Sequence, residues 1–273
     1  MPRLGVLGWP VAHSRSPAIH NAALDALGMR DWNYQRLPVP PQLFEQTVRS
    51  LHGSGFAGAN ATISHKRSAL LLADRVSDTA REIGAANTLS FTADGTISAD
   101  NTDGPGLVAA MGPAPRGATA LVLGAGGSAR AAVWALHRAG ARAVAIWNRT
   151  PERARELADE MGARAVDRPE NADLLINCTS VGMGLQRSAT DDEALNKVGL
   201  TFDQVGEYSY VVDLVYLPGS TPLLAAAAAH GSRTLDGLEV LIAQGALSFE
   251  LWTGVSPPLD AMRRAALDGR QGE

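Results

Sequence analysis

Two hydroxyls two residues apart, Ser14 and Ser16, stand in the stretch "GWPVAHSRSPAIHN", where an apolar run ends and Pro17 follows. A hydroxyl pair at a strand-to-helix junction does one of two things: it caps nearby backbone groups, or it clamps a small polar ligand. Three more stretches put polar residues at the ends of apolar runs: "GANATISHK" (58–66), "IGAANTL" (83–89) and "ADNTDGPG" (99–106). In each, an Asn or Asp sits within two residues of a Gly or Thr. Taken singly, such residues are turn chemistry. Strand ends on one edge of a parallel sheet converge on a crevice, however, so the four stretches together could line one pocket for a small polar molecule.

A second chemistry lies in "VLGAGGSARAA", which follows a strand pattern and opens a helix pattern, the context a dinucleotide site requires. Gly124 permits the tight turn, Gly126 lets the backbone approach a pyrophosphate, and Ala129 takes the place of the third small residue. The helix N-terminus offers free N–H groups and partial positive charge to phosphates. The next strand ends in "IWNRTPERAR". A site for NAD places a carboxylate there, about 20 residues on, to hold the ribose 2′-hydroxyl. This chain has Asn148, Arg149 and Thr150, with Arg153 one helical turn later. Guanidinium groups fork onto a 2′-phosphate that a carboxylate would repel, so the expected cofactor is NADP. Arg155 reads as an ordinary solvated helix residue.

These residues need a scaffold that gathers strand ends, and the apolar periodicity supplies one. Short apolar runs alternate with helical patterns, which is the signature of an α/β protein. Strands are expected at 4–8, 32–39 and 56–64, and helices at 16–28, 41–55 and 66–76. A hairpin with its turn at Asp94-Gly95 is expected over 87–100, and a helix from "NTDGPGLVAAM". The Pro/Gly-rich break "GPAPRG" (112–117) marks a change of character. Beyond it come a strand–turn–helix–strand unit, strands in "ADLLINCTSVGM" and "YVVDLVY", an irregular polar segment over roughly 184–207, and a helix in "TPLLAAAAAHG". The helices "LEVLIAQGALSFELW" and "SPPLDAMRRAALDG" come last. The expected division is a first domain over 1–104, a dinucleotide-binding domain over 105–237, and helices over 238–273 that return to the first.

Composition narrows the function. With 45% apolar and 19% charged residues the chain can bury a sizeable core. A net charge of −4 gives no electrostatic reason to expect nucleic acid or an anionic membrane as partner. The lone Cys178 cannot form an internal disulfide. No run approaches the roughly 20 apolar residues of a membrane span, and the first residues do not make a signal peptide. A cytoplasmic protein is expected. The six histidines form no H-E-x-x-H pair, so no metal site is expected, and no G-x-S-x-G elbow or phosphate-loop lysine motif occurs.

Nearly the whole chain resembles the shikimate dehydrogenase family. The resemblance is carried in order by "GWPVAHSRSPAIHN", "GANATISHK", "IGAANTL", "NTDGPG", "GAGGSARA", "NRT", "NCTSVGM", "DLVYLPGSTPLL" and "GLEVLIAQGALSFELWTG". It implies an N-terminal α/β domain that binds substrate and a Rossmann domain that binds NADP, in an enzyme interconverting shikimate and 3-dehydroshikimate as a monomer or homodimer. It implies that Ser14 and Ser16 hold the substrate carboxylate, and that Asn60, Thr62, Asn87 and Gln244 hold the ring hydroxyls and carboxylate. Tyr216 is placed near that carboxylate, and Lys66 and Asp103 form the catalytic pair. Around NADP it implies Gly124, Ala125, Gly126, Gly127, Ser128, Ala129, Asn148, Arg149, Thr150, Arg153, Thr179, Val215 and Gly237. A lysine ammonium beside a carboxylate suits the proton transfer that accompanies oxidation of a secondary alcohol. Three positions depart from the family pattern: Ser64 replaces a usual Pro, Ala61 a frequent Val and Val240 a frequent Met. Two other readings remain open, a quinate/shikimate dehydrogenase and a non-catalytic NADP-sensing protein.

Overall fold

The computed structural model describes residues 1–113, 116–183, 191–217 and 219–268. They form two compact units, Met1–Gly106 with Leu241–Glu273, and Leu107–Val240.

Unit 1 begins with β1 (Arg3–Gly8), α1 (Ser16–Ala26), β2 (Asn33–Pro38), α2 (Phe44–Leu51) and β3 (Phe56–Ala61). It continues through α3 (Lys66–Leu72), β4 (Arg75–Val76), α4 (Asp78–Ile83), β5 (Thr88–Phe91), β6 (Ile97–Asp100) and α5 (Asp103–Met111). The sheet order is β2-β1-β3-β5-β6-β4. β1 is the apolar run "LGVLG", and it runs parallel to both neighbours, as a strand covered on two faces should. β5 and β6 form the antiparallel hairpin, and its turn places Gly95 at φ +85°. One face packs Leu7, Ala59, Leu89 and Ala99 against Phe44, Val48 and Ala69. The other packs Leu4, Val6 and Tyr34 against Trp252.

Unit 2 has β7 (Thr119–Leu123), α6 (Gly127–Arg138), β8 (Ala143–Trp147), α7 (Pro151–Met161), β9 (Arg164–Ala165) and β10 (Leu174–Asn177). Then come α8 (Asp191–Lys197), α9 (Phe202–Val205), β11 (Tyr210–Asp213), α10 (Pro222–Ala229) and β12 (Arg233–Asp236). The chain ends with α11 (Gly237–Thr253) and α12 (Leu259–Asp268). All neighbouring strands in the order β12-β11-β10-β7-β8-β9 are parallel. The chain winds outward from β7 to β9, then returns to β10 on the other side of β7. That reversal is the switch point where such sheets bind ligands.

Local structure departs from the sequence expectations at several places. The helix expected over 66–76 stops at Leu72, because Arg75–Val76 pairs with β6 as a strand. α4 had no apolar signature, but Ser77 caps it by accepting from the Ala80 N–H at 3.1 Å, and Gly84 closes it at φ +71°. β3 ends at Ala61, short of Ser64, which lies at φ +71°. The segment read as irregular over 184–207 contains α8 and α9, α9 opened by a Thr201/Gln204 capping box, while 184–190 lies outside the described residues. The short strand β12 also escaped the pattern. The unit boundaries fall inside α5, after Gly106, and inside α11, after Val240.

Candidate active site

In unit 1, Lys66 opens α3 and Asp103 opens α5. Their side chains meet, with Lys66 Nζ 2.7 Å from Asp103 Oδ2, and both are largely shielded at 14% and 19% exposure. Asn87, just before β5, joins the pair to the rest of the site. Its Nδ2 group lies 3.0 Å from Asp103 Oδ1, 3.0 Å from Gln244 Oε1 and 2.9 Å from Thr102 Oγ1. Its Oδ1 accepts the Thr102 N–H at 2.7 Å. Asn87 is 2% exposed, so every one of these bonds is made without water competing. Gln244 comes from α11, and its Nε2 donates to the Leu241 carbonyl at 2.7 Å. α11 can approach this closely because residue 106 is glycine: a Cβ there would lie 2.7 Å from the Gln244 backbone.

Behind Asn87 lies a buried hydroxyl cluster. Ser248 Oγ sits 2.9 Å from Thr88 Oγ1 and 3.0 Å from Thr102 Oγ1, and donates to the Gln244 carbonyl at 3.1 Å. Asn60 Nδ2 reaches Ser248 Oγ at 3.0 Å, the Asn87 carbonyl at 3.0 Å and Thr88 Oγ1 at 3.2 Å. Asn60 Oδ1 accepts the Tyr34 O–H at 2.7 Å. Both amide hydrogens of Asn60 are therefore spent inside the protein. Thr62 is anchored through its N–H to the Leu7 carbonyl at 2.9 Å, and its hydroxyl has no partner among the described residues.

Ser14 and Ser16 are both buried. The Ser16 N–H approaches Ser14 Oγ at 3.3 Å, so the backbone-capping role is present in weak form. It leaves the Ser14 hydroxyl proton uncommitted. Arg36 Nε and Nη2 grip the Ser14 carbonyl at 3.2 and 2.8 Å. Tyr34 interacts with the Ser16 side chain, while burial pushes its phenol well above the ordinary tyrosine range. His20 stacks flat on Tyr34 at 4.3 Å between ring centroids. It is fully buried, neither ring nitrogen has a partner among the described residues, and that burial lowers its pKa to about 3. His65 is also buried, its Nε2 donating to the Val39 carbonyl 2.8 Å away and its ring stacking on Phe44. Tyr34, Arg36, Thr88, Thr102 and Ser248 were not singled out from sequence. Tyr34 and Arg36 share one face of β2 through their two-residue spacing, and Gln244 and Ser248 share one face of α11 through a four-residue spacing.

In unit 2 the glycine turn joins β7 to α6. Gly124 takes φ +108°, and a Cβ there would press on the Cys178 backbone at 3.2 Å. At Gly126 an added Cβ meets nothing within 4 Å, so this glycine is not needed for packing. It leaves open the space over the first amides of α6, which no side chain caps. Ala129 is fully buried against the sheet. Ala125, Gly127 and Ser128 complete the turn and the start of α6. These residues fit a dinucleotide pyrophosphate.

Beyond β8, Asn148 Nδ2 donates to the Thr150 carbonyl at 2.9 Å, and Thr150 precedes α7. Arg149 and Arg153 are exposed, and among the described residues neither guanidinium has a carboxylate partner. Arg155 does, meeting Glu152 at 3.4 Å and Asp167 at 3.5 Å. Two free guanidinium groups where a carboxylate would serve NAD fit a 2′-phosphate. At the carboxyl ends of β10 and β11, Thr179 Oγ1 donates to Asn177 Oδ1 at 2.7 Å, and Asn177 Nδ2 donates to Asp213 Oδ1 at 2.8 Å. Asp213 also accepts from the Val215 N–H at 3.0 Å and the Thr221 hydroxyl at 2.7 Å. Its burial nevertheless raises its pKa to about 6. Tyr216 follows in the same loop. At Gly237 a Cβ would lie 2.4 Å from the Leu214 carbonyl oxygen, so only glycine lets α11 start against this loop.

Comparison with known proteins agrees with these two halves. Residues 6–89 match the family model "Shikimate dehydrogenase substrate binding domain", 108–184 match "Shikimate / quinate 5-dehydrogenase", and 237–267 match "Shikimate 5'-dehydrogenase C-terminal domain". The chain is 43% identical to a shikimate dehydrogenase (NADP(+)) of Paracoccus denitrificans, over 97% of this chain and 96% of that protein. It is 44% identical to one of Acidiphilium cryptum, over 96% of this chain and 94% of that protein. Among solved structures it is similar to the shikimate 5-dehydrogenase of Thermus thermophilus in complex with NADP(H) and shikimate. That match has a TM-score of 0.84 and 41% identity over 97% of this chain and 98% of that one. The chain belongs to the shikimate dehydrogenase family.

Proposed function

We propose that the chain is an NADP-dependent oxidoreductase that interconverts shikimate and 3-dehydroshikimate by hydride transfer at C3. The observation that carries this reading is the shielded 2.7 Å Lys66–Asp103 pair, fastened through Asn87 to Gln244 at the strand ends of unit 1. NADP, when bound, supplies the acceptor or donor of the hydride. The chain's own residues bind the substrate and move its proton.

Oxidation of a secondary alcohol requires the hydroxyl proton to leave, and reduction of the ketone requires a proton delivered to its oxygen. The Lys66–Asp103 pair performs both. Asn87 holds Asp103 Oδ1 and so fixes which oxygen faces Lys66. At 2.7 Å the ammonium and the carboxylate are in direct contact, so a proton leaving or reaching the substrate oxygen is handled by the two together. Ser14, Ser16, Thr62 and the second Gln244 Nε2 hydrogen keep hydrogen-bonding capacity for a ligand. With Asn60 and Asn87, which also brace the site, they hold the carboxylate and ring hydroxyls, and Tyr216 lies near the carboxylate. Arg149 and Arg153 hold the 2′-phosphate. The turn from Gly124 to Ala129 holds the pyrophosphate, and Thr179, Val215 and Gly237 shape the nicotinamide end. Cytoplasmic location and a monomer or homodimer complete the proposal.

The test is absorbance at the nicotinamide band with shikimate or quinate, each with NADP or NAD. Turnover with shikimate and NADP is expected. No turnover of shikimate with either cofactor would refute the reading, and equal rates with quinate would move it to the quinate/shikimate alternative. Lys66→Ala should lower kcat by about 10²–10⁴-fold while shikimate still binds in a ligand titration.

A further inference from the structure

Two neutral hydroxyls are a weak counterpart for a carboxylate, and the structure supplies what they lack. Tyr34 and Arg36 sit two residues apart on β2, so their side chains leave the same face of the strand. Both end on the loop that carries the hydroxyls. Arg36 sends Nε and Nη2 onto the Ser14 carbonyl at 3.2 and 2.8 Å. No carboxylate among the described residues pairs with it, so its positive charge remains uncompensated beside Ser14. The same charge is felt by His13, where, after burial, it helps lower the imidazole pKa. Tyr34 donates its one O–H to Asn60 Oδ1 at 2.7 Å, so it meets the Ser16 hydroxyl as an acceptor. Behind it, the flat His20 stack and Trp252 fix the phenol ring in place.

We propose that Tyr34 and Arg36 are positioning residues for substrate carboxylate recognition, Arg36 by fixing the Ser14 loop and adding positive charge, Tyr34 by orienting the Ser16 hydroxyl. The inference rests on Ser14 and Ser16 being the carboxylate clamp. Before substrate arrives, the Tyr34 oxygen is the acceptor open to the Ser16 proton. When a carboxylate enters, that proton rotates to it, and the stronger charge-assisted bond replaces the neutral one. Tyr34 thus holds the Ser16 oxygen in place until the carboxylate takes over that hydroxyl, and Arg36 draws the anion to it.

The experiment compares shikimate with its methyl ester, which keeps the ring hydroxyls and loses the charge. Steady-state kinetics are measured for the unmutated protein and for Arg36→Gln, Arg36→Lys, Tyr34→Phe, Ser14→Ala, Ser16→Ala and Tyr34→Phe/Ser16→Ala. Arg36→Gln should raise the KM for shikimate roughly tenfold with little change in kcat, narrow the preference for acid over ester, and flatten the salt dependence of KM. Arg36→Lys should restore the salt dependence but not the full KM, because an ammonium cannot fork onto the carbonyl. Tyr34→Phe should raise KM about fivefold and add little to Ser16→Ala, since both act on one hydroxyl. An Arg36→Gln variant that loses acid and ester activity equally is structurally damaged only, and overturns the proposal. Unchanged KM in Arg36→Gln and Tyr34→Phe, with raised KM in both serine variants, overturns it while sparing the clamp. Unchanged KM in both serine variants overturns the clamp and this inference together. Arg36 is exposed, so its variants keep the question decidable even if Tyr34→Phe fails to fold.

Discussion

His20 should make the protein measurably weaker in mild acid. The imidazole is fully buried, stacked on Tyr34 at 4.3 Å and tilted against Trp252 at 5.6 Å, with no partner for either nitrogen among the described residues. Desolvation holds its folded pKa at about 3, against 6.5 in the unfolded chain. The unfolded state therefore takes up this proton as pH falls through 6.5, and the folded state does so only near 3. In that window the unfolded chain binds more protons, so stability falls with pH by about 1.4 kcal/mol per unit. At pH 5, about 1.5 units below the unfolded value of 6.5, the loss is about 2 kcal/mol. His20→Phe keeps a flat ring in the stack and forfeits no hydrogen bond, because none is made. Urea unfolding at pH 7.5 and pH 5, followed by circular dichroism, should show the variant losing about 2 kcal/mol less than the unmutated protein between the two. His13 and His65, whose pKa values are also lowered by burial, contribute equally to both proteins and cancel. Parallel losses in the two proteins would refute the reasoning.

Asn87→Ala should reduce kcat/KM for shikimate at least roughly 100-fold, since it frees Asp103 Oδ1 and strands the Gln244 and Thr102 partners; steady-state kinetics decide it. Replacing Arg149 with Asp should reverse the cofactor preference, because the new carboxylate repels the 2′-phosphate and accepts the ribose hydroxyl; an unchanged NADP/NAD ratio in kcat/KM would remove Arg149 from the site. Asp213 should act on unit 2 in the sense opposite to His20. Its folded pKa of about 6 lies above the ordinary 3.8, so its penalty is fully present at neutral pH and is relieved as pH falls through 6. Asp213→Asn should therefore be more resistant to urea than the unmutated protein at pH 7.5, with the difference shrinking towards pH 4.

Much of this was legible because glycine and proline placements carry geometry. The turn at 124–126 and the arginines after "IWN" lie within one βαβ unit, where spacing alone sets position, and the free guanidinium groups of Arg149 and Arg153 follow that order. The Lys66–Asp103 contact came instead from the resemblance, since the two lie on separate helices far apart in the chain and no period links them. Short elements were the blind spots. α4 is held by a single serine cap and β12 by its pairing with β11, and neither leaves an apolar rhythm. Tyr34 and Ser248 read as plain interior residues, for their importance lies in which hydroxyls they face across the sheet.

The discontinuity of unit 1 bears on how the chain is made. Ser248, Gln244 and Trp252 arrive with the last stretch of α11, yet they close the hydroxyl cluster, hold Asn87 and cover Gly58, where a Cβ would collide with the Trp252 indole at 2.1 Å. On the ribosome the segment up to Gly106 emerges without any of them, and must wait while the whole parallel sheet of unit 2 is synthesised. The second unit can finish its own core as it leaves the exit tunnel, because Leu107–Val240 is one unbroken piece of chain. The first unit to be translated is thus the last to be completed, and a nascent chain released before α11 carries a whole dinucleotide fold beside an unfinished substrate pocket.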